Sequence, residues 1–356
     1  MASATELTAR LLCAIGVPAF ARWMRSRRLA ILMFHGVEAE PLSPYCSWVI
    51  DAATLRRDLR YVREHFTVLP LAEALQRLSD GTLPKRAAAL TFDDGTRNLL
   101  TNAAPVLREL GMPAAVFLAT GPMGTSEPLW PDRLWHAFAQ ATVPDVDLTA
   151  LGLGIRSLRD EADRTDTLGA VHQKLKLLPD ADRVEQVEAI TTALGQHVIP
   201  PGGPFELLSW NEAKSLGSDG LITLYPHTVT HPILSRCDDE KVEHEVTKSC
   251  RVVEELTGSA PEIFAYPNGG ESDFDHRAKT ALHRNGIRWA LSTTNGMAHR
   301  KSDPFALPRI GFAAHQSDAV FRLKVSGFGL RPRRTRASAA RRPQEDRQLV
   351  TSARGG

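Results

Sequence analysis

The chain has 356 residues, a formal net charge of +2, 43% hydrophobic and 24% charged residues. This is an ordinary globular composition, and no stretch is long and apolar enough to span a bilayer. Cys13, Cys46, Cys237 and Cys250 show no Cys-x-x-Cys spacing and support neither a zinc knuckle nor a disulfide framework. The length suits one barrel-type domain of about 250 residues with an insertion, or two average domains.

The N-terminal 28 residues combine a short apolar run at 11–17 with four arginines just beyond it. Residues 19–21 (Ala-Phe-Ala) are spaced like a signal-peptide cleavage site, but the arginines follow the apolar run instead of preceding it. We therefore predict that residues 1–28 form a basic amphipathic segment that packs on the domain or contacts a membrane peripherally. The protein would then be cytoplasmic or bound to the inner membrane, with secretion as the alternative.

Strands and helices alternate from residue 29 onward. Residues 29–37 form an apolar strand that ends near His35, and taken alone this histidine is more often structural. Residues 54–78 contain two helical patterns with a short strand between them, and residues 114–118 form another strand. This alternation predicts a parallel α/β barrel.

The strand at residues 87–92 ends in two adjacent carboxylates and a glycine, Asp93, Asp94 and Gly95. Neighbouring strand residues point to opposite faces, so the two carboxylates can have different roles, such as proton transfer and metal ligation. A solvated Asp-Asp-Gly turn is the alternative for such a tripeptide taken alone.

The alternation is interrupted between residues 121 and 205, where a helical, charge-rich pattern ends in a Pro-Pro-Gly-Gly-Pro run. We predict a helical insertion over the mouth of the barrel. A helix beginning at Ser209 and an apolar stretch at 221–225 then restore the alternation.

Two histidines, His227 and His231, follow this apolar stretch with a spacing of four residues. In a helical turn they would lie on one face, and with one carboxylate they would form a metal site open to water and substrate. A lone His-x-x-x-His pattern also fits surface or core histidines. The Asp-Asp-Gly at a strand end strengthens the metal interpretation.

Together, the two motifs resemble those of the polysaccharide deacetylases with a NodB homology domain, carbohydrate esterase family 4. The family's Thr-Phe-Asp-Asp-Gly motif is present at residues 91–95, and its His-Ser/Thr-x-x-His motif at residues 227–231, in the family's order. The resemblance covers residues 29–325 and implies a distorted (β/α) barrel. Outside it lie the N-terminal segment and a C-terminal tail.

The resemblance assigns roles to the residues of both motifs. Asp93 becomes the general base, while Asp94, His227 and His231 become ligands of a divalent metal. Zinc is the expected ion, and cobalt, nickel or iron suit the same nitrogen and oxygen donors.

A third motif of the family is altered at residues 263–269. Ala265 stands where the family has the arginine that orients the base, so we expect this group to be missing or supplied from elsewhere. Arg309, on the predicted last strand, is the candidate replacement. The backbone N–H of Asn268 maps onto the family's oxyanion donor.

The general acid is assigned to His35 by resemblance. The family's late Leu-His motif has no clear counterpart, and its fourth-motif aspartate has no equivalent in residues 290–296. In circularly rearranged members of the family, a histidine that follows the first strand looks like the acid.

The resemblance implies a hydrolase that removes N-acetyl groups from an N-acetylglucosamine-type oligo- or polysaccharide. Trp130 and Trp135 of the insertion would stack on sugar rings or pack in its core. One alternative is an O-acetyl esterase or small-amide hydrolase on the same fold. Another is a catalytically weak carbohydrate-binding relative, which would not need a base such as Asp93 beside a metal ligand.

The basic charge of the chain lies at its C-terminus. Residues 331–356 contain eight arginines against Glu345 and Asp346, a local charge of +6 that leaves the rest of the chain at −4. Residues 326–356 lack apolar periodicity, and we predict that they are disordered. Contact with nucleic acid or an anionic surface is the alternative, but we expect a solvated tail and no specific nucleic-acid partner.

Overall fold

A computed structural model describes residues 4–195, 202–314 and 316–329. Most of the predicted disordered tail, residues 330–356, lies outside this part of the chain. The strands are β1 (Ala30–Phe34), β2 (Val37–Glu38), β3 (Ile50–Asp51), β4 (Thr67–Val68), β5 (Ala87–Phe92), β6 (Ala114–Leu118), β7 (Asp145–Asp147), β8 (Ile155–Ser157), β9 (Ile222–Pro226), β10 (Ile263–Ala265), β11 (Trp289–Asn295) and β12 (Leu307–Gly311). The α-helices are α1 (Ala4–Ala14), α2 (Val17–Met24), α3 (Ala52–His65), α4 (Leu71–Asp80), α5 (Ala104–Leu110), α6 (Trp130–Ala139), α7 (Glu161–Leu175), α8 (Asp180–Ala193), α9 (Trp210–Leu216), α10 (Asp239–Thr257), α11 (His276–Arg284) and α12 (Asp318–Val325).

Eight parallel strands form one sheet that closes almost completely into a barrel. Seven of them follow the order β10, β11, β12, β1, β5, β6 and β9, and β4 pairs with the first residues of β5. The end strands β9 and β10 are neighbours without strand pairing. The predicted distorted (β/α) barrel is confirmed.

Side chains of the central strands alternate between the inside and the outside of the barrel. Inner side chains such as Ile31 and Phe117 pack with one another and with α4. Outer ones such as Leu32 and Val116 pack against the surrounding helices. Because both faces are buried, these strands are continuous apolar runs, which is why they could be predicted from the sequence.

The same alternation brings polar side chains to one rim of the barrel. Parallel strands end at the same rim, and this is where barrel enzymes place their active sites. Three polar side chains continue the inner positions of their strands: Asp93 after β5, His227 after β9 and Arg309 within β12.

The segment between residues 121 and 205 has a core of its own. Its helices α6, α7 and α8 pack around Trp135, Phe138 and Val171, with Phe205 at the same cluster. The expectation of a purely helical insertion was incomplete, because β7 and β8 form an antiparallel hairpin within it. Strands of three residues are too short to show a periodic pattern.

The N-terminal segment forms two helices that meet at Gly16, whose φ is 82°. The inner side of α1, including Ala9 and Leu12, packs against Ala319 and Leu323 of α12. No single helix of the described chain is long and apolar enough to cross a membrane. Thr5–Ala14 and Val17–Met24 reach that length and composition only when taken together, and they are bent by 71°.

Candidate active site

A tight turn after β5 places both carboxylates of the Asp-Asp-Gly motif in one pocket. Asp94 has a φ of 74° and Gly95 a φ of 79°, so the extended backbone ends at Asp94. A Cβ atom on Gly95 would lie 2.7 Å from Cδ2 of Leu118, and together with the positive φ this close contact strongly favours glycine there. The two carboxylates face the same pocket, but they have different partners.

Asp93 forms a bidentate ion pair with Arg309. Nη1 and Nη2 of the guanidinium each donate to one carboxylate oxygen at 2.7 Å. Both side chains are buried, and Nε of Arg309 donates to the carbonyl oxygen of Ser292 at 2.9 Å. Burial raises the pKa of Asp93, but the charge of Arg309 and other nearby groups outweigh burial and hold this pKa below its ordinary value. Asp93 is therefore ionised at neutral pH.

Asp94, His227 and His231 form a buried cluster with the geometry of a metal site. Oδ1 of Asp94 lies 3.5 Å from Nε2 of His227 and 3.3 Å from Nε2 of His231. Donor atoms bound to one metal ion at about 2.1 Å are about 3.0 to 3.4 Å apart. Oδ1 of Asp94 is buried and accepts no well-oriented hydrogen bond from any residue that the structure describes. Two imidazoles and one carboxylate therefore fit a divalent ion such as zinc.

The protonation states in this cluster also suit metal binding. Nδ1 of His227 lies 2.7 Å from the carbonyl oxygen of Ala265, so Nδ1 donates its hydrogen there and Nε2 is free to bind a metal. Burial lowers the pKa of His231, which keeps its imidazole neutral. Burial raises the pKa of Asp94, but its interactions with the two histidines outweigh burial and hold it well below the ordinary value.

The His-x-x-x-His segment is a loop and not the helical turn in which its two histidines would share one face. Thr228 and His231 have positive φ angles of 68° and 59°, which no right-handed helix contains. A hydrogen bond of 3.1 Å from the N–H of His231 to Oγ1 of Thr228 closes this loop. Both histidines therefore reach the cluster through loop geometry instead of helical spacing.

Glu245 of α10 holds this loop and was missed in the sequence. Its fully buried carboxylate accepts the N–H groups of Val229 at 2.7 Å and Thr230 at 2.9 Å. The hydroxyl of Thr230 donates to the second oxygen at 2.5 Å. The available signal was a charged residue on the apolar face of α10, next to Val246.

The remaining predicted residues line the same cavity of about 250 Å³. His35 and Asn268 lie in its wall, and Asn268 has a positive φ of 59°. Within the described part of the chain, neither the backbone N–H of Asn268 nor its buried Nδ2 has a hydrogen-bond acceptor. The hydroxyl of Thr293 donates to the carbonyl oxygen of Asn268 and helps to fix this turn.

The insertion contributes further side chains to the cavity, and no pattern in the sequence indicated them. Nε1 of Trp48 donates to Oδ1 of Asp132 at 2.9 Å, and burial and the charge of Asp94 raise the pKa of Asp132 well above its ordinary value. His172 and Lys176 lie in the same wall. Burial lowers the pKa of His172 to about 4.

The two tryptophans singled out in the insertion have different positions. Trp135 is buried and its Nε1 donates to the carbonyl oxygen of Tyr45 at 3.1 Å, so it belongs to the core. Trp130 lines the cavity, and its Nε1 donates to the carbonyl oxygen of His231 at 3.2 Å. Trp130 therefore links the insertion to the metal-site loop.

A parallel barrel with this constellation at its carboxyl rim is the framework of a hydrolase. The polysaccharide deacetylase profile matches residues 80–146 and 171–290, more than half of the chain. The chain belongs to this family and is a hydrolase of the deacetylase type. Comparison with the curated proteins gives no match.

Several solved structures share the fold at low sequence identity. The deacetylase PplD of Streptococcus pyogenes, solved with acetate, is 16% identical, with a TM-score of 0.56 over 84% of this chain and 98% of that one. A polysaccharide deacetylase of Bacillus cereus is 15% identical, with a TM-score of 0.54 over 84% and 69%. IcaB of Ammonifex degensii is 16% identical, with a TM-score of 0.53 over 84% and 97%. At these identities the likeness shows the fold alone.

Proposed function

We propose that the protein is a metal-dependent hydrolase that removes N-acetyl groups from an N-acetylglucosamine-type oligo- or polysaccharide. One observation carries this proposal: the Asp94, His227 and His231 cluster lines the same cavity as Asp93, whose carboxylate is paired with the buried Arg309. Membership of the deacetylase family supports the same reaction type. A binding module would not require an ionised carboxylate beside a metal site.

The metal would be held by Asp94, His227 and His231, with zinc as the first candidate. Once bound there, it would polarise the acetyl carbonyl group and lower the pKa of water. The donor set alone does not select zinc over cobalt, nickel or iron.

The side chains around this site divide the proton transfers between them. Asp93, kept ionised and oriented by Arg309, removes a proton from the attacking water. The N–H of Asn268 donates to the oxyanion that forms as water adds to the amide carbon. His35 gives a proton to the sugar nitrogen as the carbon–nitrogen bond breaks, so that acetate and an amine leave.

The test is acetate release from N-acetylglucosamine oligomers of several lengths by metal-stripped and zinc-reloaded protein. We expect zinc-dependent release that is lost in Asp93→Asn and His231→Ala. The exposed His244 provides a control, since His244→Ala should retain activity. No release from any oligomer, with one equivalent of zinc bound, would refute the proposal and direct the search to O-acetyl esters and small amides.

A further inference from the structure

Exposed apolar side chains are concentrated on the two N-terminal helices. Of the eleven large hydrophobic side chains exposed in the described part of the chain, six lie on α1, α2 and the turn between them. Each is between 60% and 71% exposed: Leu7, Leu11, Ile15, Phe20, Trp23 and Met24. Exposed apolar clusters of this kind mark interaction surfaces.

These side chains lie opposite a face that is already packed. Ala9 of α1 is buried against α12, and Pro18 and Ala21 of α2 are also buried. The rings of Phe20 and Trp23 lie 5.9 Å apart on the outer side. The fold thus fixes the two helices and leaves their outer apolar side without a partner in the described chain.

Arginines outnumber acidic residues around this outer side, and the one acidic residue before residue 38, Glu6 of α1, pairs with Arg10. Residues 7–37 contain five arginines and no acidic residue. Arg27 and Arg28 are exposed, and the described residues provide no ion-pair partner for either of them. Apolar and aromatic side chains combined with arginines are typical of helices that lie in the interface of an anionic bilayer.

We propose that α1, α2 and residues 25–28 form a membrane-docking surface that binds a bilayer containing anionic phospholipid. A second copy of the chain is a poorer occupant, because a two-fold contact would bring the two sets of arginines together. The bend of 71° and the packing of α1 on α12 favour helices lying on the membrane over helices crossing it. This proposal does not depend on the substrate of the enzyme.

The test is co-sedimentation of the full-length protein with vesicles of phosphatidylcholine alone or mixed with phosphatidylglycerol. Phe20→Ser combined with Trp23→Ser should weaken binding to the mixed vesicles by about tenfold or more, because two large apolar contacts are lost. Arg27→Gln with Arg28→Gln should cost roughly fivefold per arginine and reduce the salt dependence. The matched control is Ile155→Ser with Val184→Ser, which removes equally exposed apolar side chains from the insertion and should change nothing.

Both pairs of serine variants keep the arginine-rich tail, so attraction of the tail to anionic vesicles is equal in each. Undiminished binding of the Phe20 and Trp23 variant would therefore overturn the proposal. So would a concentration-dependent dimer without vesicle binding, or membrane association that resists both salt and alkaline carbonate. A thermal unfolding curve equal to that of the unaltered protein excludes misfolding, and no step of the test requires catalysis.

Discussion

The Asp93–Arg309 pair gives the sharpest test of how the site is held together. Arg309→Met keeps most of the side-chain volume but removes the two hydrogen bonds of 2.7 Å that Asp93 receives. Asp93 is then a buried carboxylate without a counter-ion, and losing one partner of such a pair typically costs about 3 to 5 kcal/mol.

The cost should depend on pH, because a proton can replace the lost charge. With an unfolded pKa of about 3.9, protonating Asp93 costs about 4 kcal/mol at pH 7 and about 1.5 kcal/mol at pH 5. In the unaltered protein the pKa of Asp93 is lower in the folded state than in the unfolded state. The Asp93 carboxylate therefore stabilises the fold at pH values above the unfolded pKa. This stabilisation is lost as the pH falls through the folded pKa. In Arg309→Met the folded pKa is raised, so the destabilisation grows as pH rises above about 3.9.

Urea unfolding of metal-stripped protein at pH 5 and pH 7 measures this difference. Arg288→Met is the control, because Arg288 pairs with Glu262 at the surface and its loss should cost about 1 kcal/mol or less. Asp93→Asn combined with Arg309→Met should recover part of the stability, since an amide needs no counter-ion. The acid limb of kcat/KM should also move to higher pH in Arg309→Met. A destabilisation that is equal at both pH values would refute the reasoning.

Three further predictions follow from single contacts. Asp132→Asn should stabilise metal-stripped protein in thermal unfolding at pH 8 but not at pH 4. The pKa of Asp132 is raised in the folded state, so burying this carboxyl group costs more as the pH rises above the unfolded pKa. An effect that does not depend on pH would contradict this. Glu245→Gln should weaken zinc binding by about 10- to 100-fold in a chelator competition, because it loosens the loop that carries both histidines. Unchanged affinity for zinc would show that this loop keeps its conformation without the Glu245 carboxylate. Gly95→Ala should cost about 1 to 3 kcal/mol in urea unfolding, and a neutral result would mean that Leu118 moves aside without cost.

The sequence predicted the structure best where chemically active residues stand at the end of a regular strand. Buried parallel strands are apolar runs, and the Asp-Asp-Gly that the sequence shows at the end of one of them lies at the carboxyl rim. The spacing of His227 and His231 selected two residues that the structure brings together with Asp94, but a loop and not a helical turn does so. A four-residue spacing suggests a helical turn, but Glu245 binds the backbone N–H groups of the intervening residues and stabilises a loop instead.

The side chains that the insertion brings to the cavity could not be selected from the sequence. Asp132 lies on α6, whereas His172 lies on α7 and Lys176 directly follows α7. Only the folding of the insertion over the rim brings these residues to the cavity that Asp94 also lines. A carboxylate or histidine in a charge-rich helical segment is usually solvated, so nothing local distinguishes these residues. Their burial depends on tertiary packing at long sequence separation.

The pairing of Arg309 with Asp93 agrees with the proposal that the altered third motif leaves the reaction unchanged. Ala265 of β10 and Arg309 of β12 both face the inside of the barrel, on strands separated only by β11. Inner side chains of a narrow barrel converge, so a long guanidinium can reach Asp93 from β12, across the intervening β1, as well as from β10. The role proposed for Asp93 requires two donors aligned with its carboxylate oxygens, and Arg309 provides them at 2.7 Å each. A guanidinium group can thus occupy the same place inside the barrel although the arginine that carries it stands at a different position in the sequence.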